Sequence, residues 1–186
     1  MTKAIREGVP FREREVTLFE GEKRRHVLYS GAGLNDISGR FVGAIGVLRD
    51  VTEERRSRRI LELSEARFRE VFEHMESGVA IYEPTEDGER FFFRDFNSAG
   101  ERIDRVKRED ILGKELLEVF PGAEAFGIVD AMKRVAKSGT PEFLTEQEYA
   151  DERISGWREN YVCRLDSNEI VVVYRNVTER VEREAR

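Results

Sequence analysis

The chain has 186 residues, with 32 Lys and Arg against 38 Asp and Glu, a formal net charge of −6, and 39% hydrophobic and 38% charged residues. That is a globular balance, and neither an apolar run long enough to span a bilayer nor a signal-peptide core is present, so membrane and secreted classes are disfavoured. An acidic chain without a basic face is a poor nucleic-acid binder, and the single cysteine, Cys163, excludes an internal disulfide or a cysteine-ligated cluster and points to a reducing cytoplasm.

In chain order, Arg14 to Phe19, Arg24 to Tyr29 and Phe41 to Leu48 read as strands, with glycines at 31, 33, 43 and 46 expected to weaken or bend the pairing. Gly31-Ala32-Gly33 is only a fragment of a dinucleotide fingerprint, opens no helix, and reads as a sheet irregularity. From Thr52 or Glu53 to about Met75 there is neither Gly nor Pro, which predicts one long helix. Leu61, Phe68 and Met75 recur along it at heptad spacing beside Ile60, Leu63, Val71 and Phe72. The stripe suits a partner helix, and a helix laid on its own sheet is an equal alternative.

Gly78 to Tyr82 and Phe91 to Phe96 predict a hairpin across Pro84-Thr85-Glu86-Asp87-Gly88. Asn97-Ser98 then starts a polar helix ending near Arg105, since either side chain can accept an orphan amide of the first turn. Ile111 to Leu117 predicts a short helical turn closed by Pro121-Gly122. Glu124 to Ser138 predicts a longer helix with Phe126, Val129, Met132, Val135 and Ala136 on one face and Gly139 as its stop. Three strands follow, Glu142 to Ala150, Trp157 to Leu165 and Glu169 to Arg175, and the run Ile170 to Tyr174 reads as covered on both faces.

The two triplets of strands are one module seen twice. Asp50-Val51-Thr52-Glu53-Glu54-Arg55 returns as Asn176-Val177-Thr178-Glu179-Arg180, and Gly8, Pro10 and Leu34 match Gly139, Pro141 and Leu165. The first copy has five extra residues, assigned to a longer turn at Asn35 to Arg40. At both corners Thr52 and Thr178 are positioned to cap the outgoing helix, and Glu53 and Glu179 put negative charge in its first turn.

Taken together these pieces resemble the PAS sensory domains of signal-transduction proteins. The resemblance rests on Ser64 to Arg69 with Val71-Phe72 as the leading helix, Gly78 to Ile81 as the first strand, Asn97 to Gly100 after the second, the acidic turn Glu109 to Lys114, and the two Val-Thr-Glu corners. It implies an α+β fold: a five-stranded antiparallel sheet with helices on one face, preceded by a long connecting helix and a partial, three-stranded PAS segment. The implied domains are a carboxyl-half PAS segment at 1–52, a connecting signalling helix at 53–75, a complete PAS-like domain at 76–181, and the start of an output helix at 182–186.

The implied function is a sensory and dimerising module, part of a sensor histidine kinase or related regulator, without catalysis of its own. A purely structural pairing module, dimerising through Leu61 and Phe68, is the alternative. The relay would run through Asp50, Val51, Thr52 and Glu53 and through Asn176, Val177, Thr178 and Glu179. The resemblance also implies that Asp50 holds a neighbouring basic side chain, a coupling that Asn176 puts in doubt in the second copy. The ligand position it implies is a mostly apolar cavity lined by Ile81, Phe96, Leu116, Phe120, Ile128, Met132, Tyr161, Cys163 and Val173, with Tyr161 and Asn97 as polar contributors. The same side chains could instead fill a closed core.

Chemistry otherwise finds little purchase. His26 stands among basic residues with no carboxylate nearby in sequence, and His74 lacks the context of a phosphoacceptor. The resemblance implies that haem would be held by a histidine of the long helix and a covalent flavin by a cysteine on a helix; 124–138 holds no histidine, Met132 reads as core, and Cys163 is on a strand, so both are disfavoured. A noncovalent flavin stays open, although Trp157 reads as sheet packing before it reads as a flavin stack. The expected partners are a second copy of the chain, a small-molecule ligand and a downstream kinase or regulator domain, with neither nucleic acid nor membrane.

Overall fold

The computed structural model describes residues 11–185. The matches at Gly8 and Pro10 lie outside the described residues. The chain divides into two units, 1–67 and 68–186, with the boundary inside the long helix.

The first unit holds β1 (Phe11–Glu20), β2 (Lys23–Asn35) and β3 (Phe41–Asp50) in a three-stranded antiparallel sheet of that order. On the β3 side the glycines of β2 do not interrupt the ladder: Gly31 pairs with Gly46 and Gly33 with Ala44, and the register shifts only at Leu34/Asn35. On the β1 side the expected irregularity is present beside Gly31, where the register shifts between the pairs Phe11–Gly31 and Arg14–Tyr29. A glycine costs a strand entropy, not hydrogen bonds, so the β2–β3 ladder runs through it. The longer turn is organised by Asp36, whose Oδ1 accepts the amides of Ser38 and Arg40 at 2.9 Å each. Helix α1 (Thr52–His74) follows, with Ile60, Leu61 and Leu63 exposed.

The second unit is a five-stranded antiparallel sheet in the order β5-β4-β8-β7-β6, formed by β4 (Gly78–Pro84), β5 (Phe91–Phe96), β6 (Glu142–Ala150), β7 (Ser155–Arg164) and β8 (Ile170–Asn176). Between β5 and β6 come α2 (Ser98–Asp104), α3 (Arg108–Ile111), α4 (Leu116–Val119), a single 3-10 turn (Pro121–Ala123) and α5 (Ile128–Ser138). The predicted turn at Ile111 to Leu117 is broken in two because Gly113 adopts φ +78°. The helix expected from Glu124 starts only at Ile128, because Gly127 stands at φ +80° before it. Helix α6 (Thr178–Glu184) leaves after β8.

Side chains alternate across a strand, and that parity places the core. Ala80 and Tyr82, Val162, and Ile170, Val172 and Tyr174 face the helices, where they pack with Phe91, Phe93, Phe96, Leu116, Phe120, Ile128 and Met132. The end of α1 lies on the other face. Phe72 is buried, and with Phe68 and Met75 it lines a groove over Val79, Ile81, Val171 and Val173. The two readings of the helical stripe thus divide the helix: its last turns lie on the sheet of the second unit, while Leu61 stays exposed.

Candidate functional site

Of the expected lining residues, Phe96, Leu116, Phe120, Ile128 and Met132 are brought together as buried core, with Met132 fully enclosed. They pack through Phe93, whose ring centroid lies 6.0 Å from that of Phe96 and 5.9 Å from that of Phe120. Ile81, Tyr161, Cys163 and Val173 are corrected. They share the parity of Val79, Val171 and Trp157, opposite to that of Tyr82, Val162 and Val172, so they face away from α2 to α5, and Ile81 and Val173 line the groove beside the end of α1 instead. Burial raises the pKa of the Cys163 thiol there.

Asn97 is also corrected as a pocket group. Its Oδ1 accepts the amides of Val79 at 2.9 Å and Gly100 at 2.8 Å, and its Nδ2 donates to the carbonyls of Phe72 at 2.9 Å and Ser77 at 3.0 Å. It caps α2 as its sequence position predicts, and its remaining capacity staples α1 to β4. Nothing is left for a ligand.

The interior carries a polar group that the sequence reading missed. Asp104, at the end of α2, and Arg158, on β7, are both buried, with Arg158 Nη1 2.6 Å from Asp104 Oδ1 and not aligned as a hydrogen bond. The Tyr174 hydroxyl donates to Asp104 Oδ2. The guanidinium stands 4.7 Å from the Tyr149 ring centroid and 5.5 Å from that of Tyr174. Burial raises the Asp104 pKa, and Arg158 and Tyr174 oppose that rise without cancelling it. Burial likewise pushes the Tyr174 and Tyr82 hydroxyls far up.

Beside this pair, Asn160 is buried with its Nδ2 unpartnered, and Gln147 Oε1 is buried and unpartnered too. Gln147 lies directly across from Arg158 in the β6–β7 ladder, and Asn160 is two residues further along the same face of β7. Of the buried side-chain atoms without a hydrogen-bond partner among the described residues, one donor and one acceptor therefore stand next to this ion pair. The signal was present in the strand pattern: Arg158 and Asn160 occupy the parity of Val162, where an apolar residue belongs. At the margin of the interior, Arg153 donates to the Val119 carbonyl at 2.6 Å and lies over the Phe120 ring at 5.0 Å.

The two corners have the same geometry. Val51 and Val177 donate their amides to the carbonyls of His26 and Trp157, each at 2.8 Å. Thr52 Oγ1 accepts the His26 amide at 2.8 Å and donates to Asp50 Oδ1 at 2.6 Å; Thr178 Oγ1 accepts the Trp157 amide at 2.9 Å and donates to Asn176 Oδ1 at 2.7 Å. Neither hydroxyl caps its helix as expected, because each is committed to the strand behind it. Asp50 Oδ2 lies 3.3 Å from Arg25 Nη1. The residue in the place of Arg25 is Gly156, where a Cβ would come within 2.6 Å of Thr178 Oγ1, so the second corner has no counterpart of the Arg25 side chain for residue 176 to hold. The tie between helix and sheet is made there by Arg180, 2.6 Å from Glu159 and 2.8 Å from Glu146. In the first unit Glu15, the counterpart of Glu146, is held from one position further along the helix, by Arg55.

His26 does have a carboxylate nearby, since the fold brings Glu15 Oε1 to 3.8 Å from its Nδ1. His74 Nδ1 lies 2.9 Å from the Glu70 carbonyl. Among the described residues no helix is long and apolar enough to cross a membrane.

The chain is similar to several solved structures. A domain of a sensory box sensor histidine kinase/response regulator from Geobacter sulfurreducens is 20% identical with a TM-score of 0.49, over 62% of this chain and 96% of that one. An RNA-binding light-oxygen-voltage receptor is 11% identical with a TM-score of 0.51, over 98% of this chain and 82% of that one. The PAS domain of BvgS from Bordetella pertussis is 18% identical with a TM-score of 0.46, over 64% and 90%. Among curated proteins there is no sequence match. The family model described as the PAS fold matches residues 72–182, the whole second unit but for its ends. The chain therefore belongs to the PAS fold family.

Proposed function

We propose that the chain is a dimerising PAS sensory module, cytoplasmic and without catalysis of its own, that passes a change at its interior polar group to helix α6 and on to a kinase or regulator domain. The observation that carries this reading is the pair of unpartnered buried atoms, Asn160 Nδ2 and Gln147 Oε1. A buried donor and acceptor left unmade cost free energy, so a small molecule offering the complementary acceptor and donor gains affinity there. Arg158 links that site to the corner: the residue before it is Trp157, whose amide binds Thr178. A ligand that prefers one position of β7 biases the position of α6 through this bond, and only differential affinity for the two positions can do so.

Native mass spectrometry of the freshly purified protein, followed by a thermal-shift screen of small heterocycles with adjacent N–H and C=O groups, tests the reading. Retention or a shift that disappears in Asn160→Leu supports it. An empty protein indifferent to the whole screen argues for the second reading, pairing without a ligand, which is favoured by the exposure of Leu61 (59%) and Phe68 (52%) on α1. Under that reading Leu61→Glu with Phe68→Glu turns a dimer into a monomer in analytical ultracentrifugation.

A further inference from the structure

The corner of the first unit gathers a basic cleft that its counterpart in the second unit lacks. The His26 amide donates to Thr52 Oγ1 at 2.8 Å and the His26 carbonyl accepts the Val51 amide at 2.8 Å, so the opening turns of α1 are held beside the start of β2. Arg24 and His26 stand two apart on that strand and therefore on one face of it. With Arg55, Arg56, Arg58 and Arg59 of α1 they line a cavity of about 480 Å³, in which Glu62 is the only lining carboxylate among the described residues.

These arginines are placed against local electrostatics. Arg55 with Arg58 and Arg59, and Arg56 with Arg59, are like charges at i,i+3 and i,i+4 spacing on one helix, close to the positive end of its dipole. The carboxylates at hand do not balance them. Glu15 is taken by Arg55, Glu54 is shared between Arg49 at 2.9 Å and Arg58 at 3.4 Å, and Glu62 stands 3.7 Å from Arg59. Among the described residues Arg24 and Arg56 have no carboxylate partner.

The corner itself does not demand this charge. In the second unit the same hydrogen bonds are made with Ser155 and Trp157 in the places of Arg24 and His26, and with Val181, Glu182, Glu184 and Ala185 in the places of Arg55, Arg56, Arg58 and Arg59. Every arginine of the cleft is gone there, and two of the places are acidic. A cluster that the fold does not need, and that sets like charges against one another, breaks a local rule of the kind that function explains.

We propose that the cleft between the start of β2 and the first turns of α1 binds a small polyphosphate anion, of the kind carried by a nucleoside triphosphate or by free tripolyphosphate. Guanidinium groups converging from a strand and a helix match the many oxygens of such a chain, since each can make two parallel bonds to one phosphate. The cavity is of small-molecule size. A long polyanion is disfavoured, because outside the cleft it meets a chain of net charge −6, whereas a small anion feels the local field alone. Arg24 and Arg56, with no carboxylate to release, are the anchors.

Isothermal titration calorimetry of the full chain at low ionic strength, with sodium tripolyphosphate and with ATP, tests the proposal. The expected result is saturable one-to-one binding of tripolyphosphate, weakened about tenfold or more by Arg24→Gln with Arg56→Gln. Arg102→Gln with Arg183→Gln, which removes the same charge from the second unit, leaves it unchanged. In amide NMR spectra of the wild-type chain, tripolyphosphate is expected to shift Arg24, His26 and Arg56, a readout that does not depend on how the variants fold. ATP bound as tightly as tripolyphosphate or tighter makes the source a nucleotide, and ATP bound more weakly makes it a free polyphosphate; both keep the chemistry proposed. No saturable binding at millimolar tripolyphosphate, equal weakening in the two double variants, or shifts confined to other residues overturns it. Tighter binding of an oligouridylate or of phosphatidylserine vesicles than of tripolyphosphate also overturns it, because the occupant is then a polynucleotide or a membrane surface.

Discussion

The amide of Trp157 on β7 donates to the side-chain oxygen of Thr178, the first residue of α6, at 2.9 Å. The hydroxyl that could have capped the helix instead pins the helix to a strand two positions away in the sheet order from β4, and Thr52 does the same for His26. Thr178→Val keeps the shape and removes the acceptor, leaving a half-buried N–H unpaired. The expected cost is about 1–3 kcal/mol, with faster exchange at the Trp157 amide, whereas Thr178→Ser retains both. Urea denaturation and exchange together check this, and an unchanged Trp157 amide in the valine variant would contradict the coupling.

Asp104 and Arg158 are each other's charge compensation inside the domain. Asp104→Asn leaves a buried guanidinium unpaired and is expected to destabilise by about 3–5 kcal/mol. Replacing both, as Asp104→Leu with Arg158→Met, is expected to recover most of the loss, since apolar substitutes avoid the desolvation penalty. Equilibrium unfolding of the two variants distinguishes this from two independent contributions, which would add.

At Asp151, burial raises the pKa, but the Tyr149 hydroxyl, the amides of Ile154 and Arg153 and the Arg153 guanidinium outweigh it and hold the carboxyl at about 2. A carboxyl whose folded pKa is depressed stabilises the fold fully above its unfolded value of about 4, and the contribution is lost as pH falls towards 2. The midpoint of unfolding in wild type is therefore expected to drop more steeply between pH 4 and pH 2 than in Asp151→Asn. Parallel melts across that window read the difference, and equal slopes would rule out the contribution.

The strand parity has a direct consequence for stability. Met132→Ala, in the enclosed core, is expected to cost about 2–5 kcal/mol, while Tyr161→Ala, on the outer face and 42% exposed, is expected to cost under about 1 kcal/mol. Thermal melts of the two variants check the assignment, which a large loss in Tyr161→Ala would reverse.

What the sequence determined by itself was order and identity of elements: the repeat, the hairpin, the Asn97 cap, the helix stop at Gly139, and the two corners at Thr52 and Thr178. These rest on periodicity, turn chemistry and local hydrogen bonding, which act over a few residues and are written in neighbouring positions. The face to which each strand residue points was decided only in three dimensions. Tyr161 and Cys163 differ from Val162 by one position, and the choice between them depends on which face α2 to α5 cover. The partners of Asn97, Asp104 and Arg158 were equally hidden. Asn97 meets Phe72, and Asp104 meets Arg158 and Tyr174, across long stretches of chain. No local pattern encodes such meetings, because the low dielectric that makes them matter exists only once the sheet and helices have closed around them.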